Sequence, residues 1–134
     1  MSEQGWSVAH VDEIEPVGDP DPGEWEWRPI RSHFGIGAFG VNAWIGRAAG
    51  DQVLEEHTET GTGHEELYLI LSGRARFELD GEPVDGRPGT LVFVEDPAVK
   101  RTAFAEEPGT TVLAVGAKRG QTFSPSAWEL RYTA

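Results

Sequence analysis

The stretch EEHTETGTGHEELYLILSG, residues 55–73, sets imidazoles and carboxylates directly against an apolar run. Its second half, from Leu67 to Leu71, is strand-length apolar sequence stopped by Ser72-Gly73. On an extended chain residues two apart share a face, so His57 goes with Glu59, and His64 goes with Glu66, Tyr68 and Ile70. Two neighbouring strands of this kind aim two imidazoles and two carboxylates at one volume.

The rest of the chain repeats the same rhythm. Short apolar runs at 38–47, 52–59, 65–71, 74–80, 90–95, 100–105 and 111–118 read as strands. Between them stand Gly50-Asp51, Ser72-Gly73, Asp80-Gly81, Asp85-Gly86, Pro88-Gly89 and Pro108-Gly109, which supply turns and positive φ. Asp80-Gly81 predicts a two-residue hairpin turn. Before it Ala75, Phe77 and Leu79 face in while Arg74, Arg76 and Glu78 face out. The runs Leu67 to Leu71, Leu91 to Val94 and Val112 to Val115 are apolar on both faces, which predicts cover on both sides. No stretch sustains a 3.6-residue period, so the fold class is all-β: two packed sheets, or a barrel that also dimerises.

At 134 residues the chain is expected to be one domain. It has no cysteine, which excludes disulfides and thiolate metal sites. Twenty-three acids against eleven Lys and Arg give a net charge of -12, which repels phosphate backbones and anionic membrane surfaces. Nucleic acid and membrane are therefore not expected partners. The N-terminal stretch has no basic and apolar leader pattern, and the expected location is cytoplasmic. Acids crowd the first 27 residues, from Glu3 to Glu26, among Pro16, Pro20, Pro22, Gly18 and Gly23. Regular helix is not expected there. Trp6, Trp25 and Trp27 nevertheless predict an arm that lies on the domain rather than a free tail. The expected organisation is an irregular acidic arm over 1–35, a barrel over 36–118, and a C-terminal segment over 119–134 whose Trp128 packs on the barrel or on a partner.

Neutral His and ionised Glu are good ligands for Fe, Mn, Ni, Zn or Cu, and two carboxylates balance a divalent charge. The bland alternative is an exposed loop whose polar groups sit in water. GIGAFG at 35–40 precedes a strand rather than opening a helix, so it makes no phosphate cradle. Ser124 and Ser126 lack a nucleophile elbow.

The order Gly50, His57-x-Glu59, Glu66, six residues and Gly73 resembles the first motif of the cupin superfamily, in which Gly precedes His-x-His, then Glu, then Gly. GHEELYLILSGRARFELDG is similar to the middle of small single-domain cupins. The resemblance spans roughly residues 38–118. It implies a jelly-roll β-barrel, often a homodimer, frequently holding one metal ion inside its mouth. Here the second family His falls on Glu59. In the second motif, anchored on Gly89, the third His falls on Lys100 and the Asn on Phe104.

Glu59 and Glu66 inside a barrel need their charge answered, because an unpaired buried carboxylate costs several kcal/mol. One divalent ion on His57, His64 and Glu66, with His64 standing in for the lost family histidine and Glu59 as an optional fourth ligand, is one answer, and Lys100 paired with Glu66 is the other. A lysinium and a divalent ion exclude each other from one set of ligands. A one-residue register shift would turn Lys100 out, with Arg101 in or neither of them in, and would restore the metal reading. The resemblance therefore leads to a cupin that holds one divalent ion and acts on a small organic acid or similar molecule, with Glu59 as fourth ligand or general base. Tyr68 is a candidate proton donor, or packing with a satisfied hydroxyl. The alternative is a metal-free cupin that binds a small anionic ligand through Lys100 or Arg101, with Asn42 lining the pocket. A third reading is an assembly module without chemistry.

Overall fold

At Asp80-Gly81 the backbone takes φ of 51° and 82°, the left-handed pair that a two-residue hairpin turn requires. The computed structural model describes residues 4–133, so Glu3 of the acidic run and Ala134 lie outside it. The hairpin joins β5 (Ala75–Leu79) to β6 (Glu82–Gly86), with Leu79 opposite Glu82. Seven further strands are β1 (Glu26–Arg28), β2 (Gly40–Gly46), β3 (Gln52–His57), β4 (Glu65–Ser72), β7 (Leu91–Val94), β8 (Arg101–Ala105) and β9 (Thr110–Ala117). They form two antiparallel sheets, ordered β1-β2-β9-β4-β7 and β3-β8-β5-β6. The strand runs read from the sequence correspond to β2, β3, β4, β5, β7, β8 and β9.

The inward alternation of each strand fills the space between the sheets. Val53, Tyr68, Ile70, Phe77, Ala103 and Val112 are fully buried there. Ala75 and Phe77 face in and Arg76 faces out, as the hairpin reading predicts. Gly73 ends β4 at φ 73°, and a Cβ there would stand 2.3 Å from Thr110 Oγ1 and 2.5 Å from its Cα. Any side chain at this position meets backbone, which gives the motif glycine a physical cause.

Several expectations are revised. β6 escapes the apolar-run reading because it reads EPVDG; Pro83 is tolerated since β6 is an edge strand. The arm is partly regular: β1 pairs with β2, a 3₁₀ turn covers Val11–Glu13, and a five-residue helix α1 covers Ile30–Phe34. Trp27 buries with β1, whereas Trp6 is exposed. Within the single chain the outer face of β4 and β7 is bare, the face that a dimer would cover. Leu67 lies opposite Phe93 and Leu69 opposite Leu91, with Phe93 55 % and Leu91 61 % exposed. Among the described residues no helix is long and apolar enough to cross a membrane.

The C-terminal segment folds back through helix α2 (Ala127–Leu130). Glu129 is buried and accepts from the guanidinium of Arg31, on α1, and from Asn42 Nδ2 at 3.3 Å, on β2. Asn42 Oδ1 in turn accepts from Trp27 Nε1 at 2.9 Å. This chain of bonds ties β1, β2, α1 and α2 together beside the barrel mouth. It gives Asn42 partners within the protein.

Candidate functional site

β3 ends at His57, and its last pairing sets His57 opposite Arg101, the first residue of β8. Both side chains therefore come to the same side. The three residues Pro97-Ala98-Val99 turn the chain so that Arg101, Ala103 and Ala105 face the interior, while Lys100 and Phe104 face out. This is the one-residue shift that moves a whole strand to its other face. Lys100 is exposed, with Nζ 3.8 Å from Glu56 Oε1, and does not line the barrel mouth. Outside, the Arg76 guanidinium lies 5.4 Å from the Phe104 ring centre.

Arg101 is 0 % exposed. Its Nη1 donates to Glu66 Oε1 at 3.0 Å, and its Nη2 donates to the carbonyls of Val99 at 2.9 Å and of Asp96 and Pro97 at 3.4 Å. A planar guanidinium suits this task because it presents several fixed donors at once. The Tyr68 hydroxyl donates to the same Glu66 oxygen. Burial, with the Glu66 charge beside it, pushes the Tyr68 phenol well above its ordinary range, so it stays a donor. Gly116 leaves room for Glu66: a Cβ there would stand 3.1 Å from Glu66 Cγ.

Glu59 lies past the end of β3, in a turn rather than on the strand. Glu59 N donates to Pro97 O at 2.8 Å, and the amide of Gly63 donates to Glu59 O at 2.6 Å. Thr62 Oγ1 donates to Glu59 Oε1 at 2.9 Å. The loop between Glu59 and Glu66 is thus folded back on itself, and it brings the carboxylate to His57. His57 Nε2 stands 3.1 Å from Glu59 Oε2 and 3.7 Å from Glu66 Oε1. Its Nδ1 donates to Glu55 O at 2.6 Å, which aims Nε2 at the two carboxylates. His64 Nδ1 is 3.7 Å from Glu59 Oε1, and its ring rests on Phe123 with centres 5.8 Å apart.

Three of the four metal candidates form one group. Donor atoms of His57, Glu59 and Glu66 all lie within 4.8 Å of one another; His64 stands beside this group and not in it. The set suits one divalent ion: a single imidazole nitrogen, fixed by its other nitrogen on a backbone carbonyl, and two carboxylates to match the charge. The buried Arg101 on Glu66 works against an ion on that side. Without one, His57 and Arg101 answer the charges of Glu59 and Glu66.

These residues form one end of a cavity of about 930 Å³. Trp25, Trp27, Trp44, Trp128 and Tyr132 line its other wall. Trp27 packs on Trp128 with ring centres 4.9 Å apart and on Trp44 at 5.8 Å. Trp128 packs on Trp27 and Trp44 of its own chain and stays 40 % exposed. The aromatic wall was not legible beforehand, because it joins β1, β2 and α2, which are far apart in sequence.

The electrostatics of His57 and Glu59 depend on each other. Burial alone would lower the His57 pKa, but its hydrogen bonds to Glu59, Glu66 and Glu55 O raise it to about 10. Burial alone would raise Glu59; the bonds from His57 and Thr62 and the nearby imidazoles lower it instead. The His57 contribution to stability is complete below its ordinary 6.5 and is lost as pH rises through about 10. The Glu59 contribution is complete above its ordinary 4.5 and is lost as pH falls through its lowered value. In chelator-washed protein, ring ¹⁵N shifts of His57 are expected to titrate near 10 and to move down markedly in Glu59→Gln; a midpoint near 6.5 in the unaltered protein would contradict the pairing.

No protein-family model matches the sequence, and no curated relative matches it. Solved structures do resemble the fold. A conserved double-stranded β-helix protein from Klebsiella pneumoniae aligns with TM-score 0.67 at 16% identity, over 94% of this chain and 96% of that one. A sugar phosphate isomerase of the cupin superfamily from Silicibacter pomeroyi aligns with TM-score 0.65 at 18% identity, over 89% and 77%. KdgF from Halomonas sp. aligns with TM-score 0.63 at 18% identity, over 85% and 94%. At these identities the likeness is one of architecture, and the architecture of this chain is that of a cupin.

Proposed function

We propose that the chain binds a small molecule in its barrel mouth and that His57, Glu59 and Glu66 hold one divalent ion at the inner end of that cavity. The observation that carries this reading is the convergence of three ligand atoms within 4.8 Å at the end of a 930 Å³ cavity. A divalent ion there supplies Lewis acidity, polarising an oxygen of the bound molecule or activating a water. Glu59 is a ligand of the ion or the general base of this reading; it lies in a turn past the end of β3, with His57 and Thr62 on its carboxylate. Tyr68 donates to Glu66 and holds that carboxylate in place. Neighbours of this architecture include proteins named as sugar phosphate isomerases, which supports small-molecule chemistry in general and no one reaction.

A second reading has its own observation. Arg101 gives Glu66 a permanent cation, so the site is charge-balanced with no metal, and His57 and Glu59 then form a proton-holding pair facing the cavity. Elemental analysis and calorimetric titration with Mn²⁺, Fe²⁺, Ni²⁺, Zn²⁺ and Cu²⁺ separate the two. The metal reading expects one ion per chain, tighter at alkaline than at acid pH because Nε2 must shed its proton, and lost in His57→Ala. Substoichiometric metal in both the unaltered protein and the variant would leave the metal-free reading.

The reading includes a homodimer, supported by the uncovered apolar face of Leu67, Leu69, Leu91 and Phe93. Phe93→Glu is expected to convert a dimer to a monomer in sedimentation analysis with the fold intact; a monomeric unaltered protein would contradict it.

A further inference from the structure

The cavity carries more information than the ligand set at its end. Its aromatic wall comes from Trp27 on β1, Trp44 on β2 and Trp128 on α2, with Trp25 just before β1 and Tyr132 just after α2, and the bonded chain Arg31, Glu129, Asn42 and Trp27 holds these elements together. An indole face attracts a cation through its negative π surface, and tryptophan does so best among the side chains.

The charges around the same cavity point the same way. Of its lining carboxylates, Glu66 is engaged by the buried Arg101 and Glu129 by the buried Arg31, and neither arginine lines the cavity. That leaves Asp19, Glu24, Glu55 and Glu59 facing the imidazoles of His57 and His64 and the rim residue Arg131, with Glu59 paired to His57. Lys100 is outside. Acids therefore outnumber bases on the surface a ligand meets, in a chain whose net charge is -12.

We infer that the cavity selects a small organic cation, a protonated amine carried on a compact apolar or aromatic body, and disfavours the organic acid of the same shape. This inference rests on the reading that the cavity binds a small molecule, and it concerns the cavity without an ion, because a divalent ion on Glu59 and Glu66 would add positive charge at that end. The ammonium lies on an indole face beside the acids, with its apolar body on the neighbouring rings; an acid placed the same way meets like charge, which electrostatic recognition penalises. The inference reverses the organic-acid and anionic-ligand expectations drawn from the sequence.

The test uses three probes of one shape, phenethylamine, 2-phenylethanol and phenylacetate, titrated calorimetrically into chelator-washed full-length protein near neutral pH. The expected order of affinity is amine, alcohol, acid, with the amine at least about tenfold tighter than the acid, a difference that one cation–π contact with a nearby carboxylate supplies. Trp128→Ala should keep the order and weaken all three probes, with circular dichroism confirming the fold. An acid that binds as tightly as the amine overturns the inference. So does the absence of binding by any probe, or probe affinities unchanged in Trp128→Ala. Metal uptake is measured separately. A protein that takes up metal yet prefers the acid loses this inference and keeps the proposed ion site, while one that binds amines without metal does the reverse.

Discussion

The ion pair between Glu66 and Arg101 is the constraint on which the interior depends. A carboxylate turned into a β-barrel core is tolerable only when a charge and hydrogen bonds replace water around it. Arg101 meets that demand with its guanidinium on Glu66 and on three backbone carbonyls, and it has no exposed surface. The pair joins β4 in one sheet to β8 in the other. It also fixes which face of β8 is inward, because a slip by one residue would bury Lys100 and Phe104 and expel Arg101. The small residues Ala103 and Ala105 follow Arg101 on the inner face and leave space for Phe77 and Tyr68.

With Glu66 so held, the adaptable half of the site is His57 with Glu59. His57 is positioned by the last pairing of β3, whereas Glu59 is positioned by a turn built from Thr62, Gly63 and the carbonyl of Pro97. One partner belongs to the sheet and the other to a loop. The opposite wall of the cavity is assembled from the two ends of the chain, and the buried Glu129 is its fastening. The arm and the C-terminal segment thus line the cavity, adding Trp25, Trp27, Trp128 and Tyr132 to Trp44 of β2.

The barrel was legible because its signals are local. Alternation in RARFEL, the Asp80-Gly81 turn and the glycine-bounded apolar runs each report on a few neighbouring residues, and each strand read from them is present. The approach of His57 to Glu66 was legible for the same reason; His64, expected as a ligand, stands beside the group, and Glu59 arrives by a turn and not by strand alternation. What local pattern could not decide was the phase of β8. In KRTAFA either Lys100 or Arg101 can lead the inward set, and the choice depends on how Pro97-Ala98-Val99 turns. β1, β6 and α2 were illegible as elements because each is short and owes its existence to a partner: β2, β5 and the buried Arg31. Apolar residues on both faces of β4 and β7 predict cover on both sides, and the single chain supplies it on the inner face alone, leaving the outer face for a partner.

The most direct test of the account is a double-mutant cycle on folding stability with Glu66→Gln, Arg101→Met and the two combined, measured by denaturant unfolding in chelator. If the pair answers the buried charge, Arg101→Met alone should cost about 3 kcal/mol or more, since it strands Glu66. The double variant should then be more stable than the sum of the two losses by at least about 1 kcal/mol. Strictly additive losses would contradict the account, because they would mean that Glu66 does not depend on Arg101 for its charge.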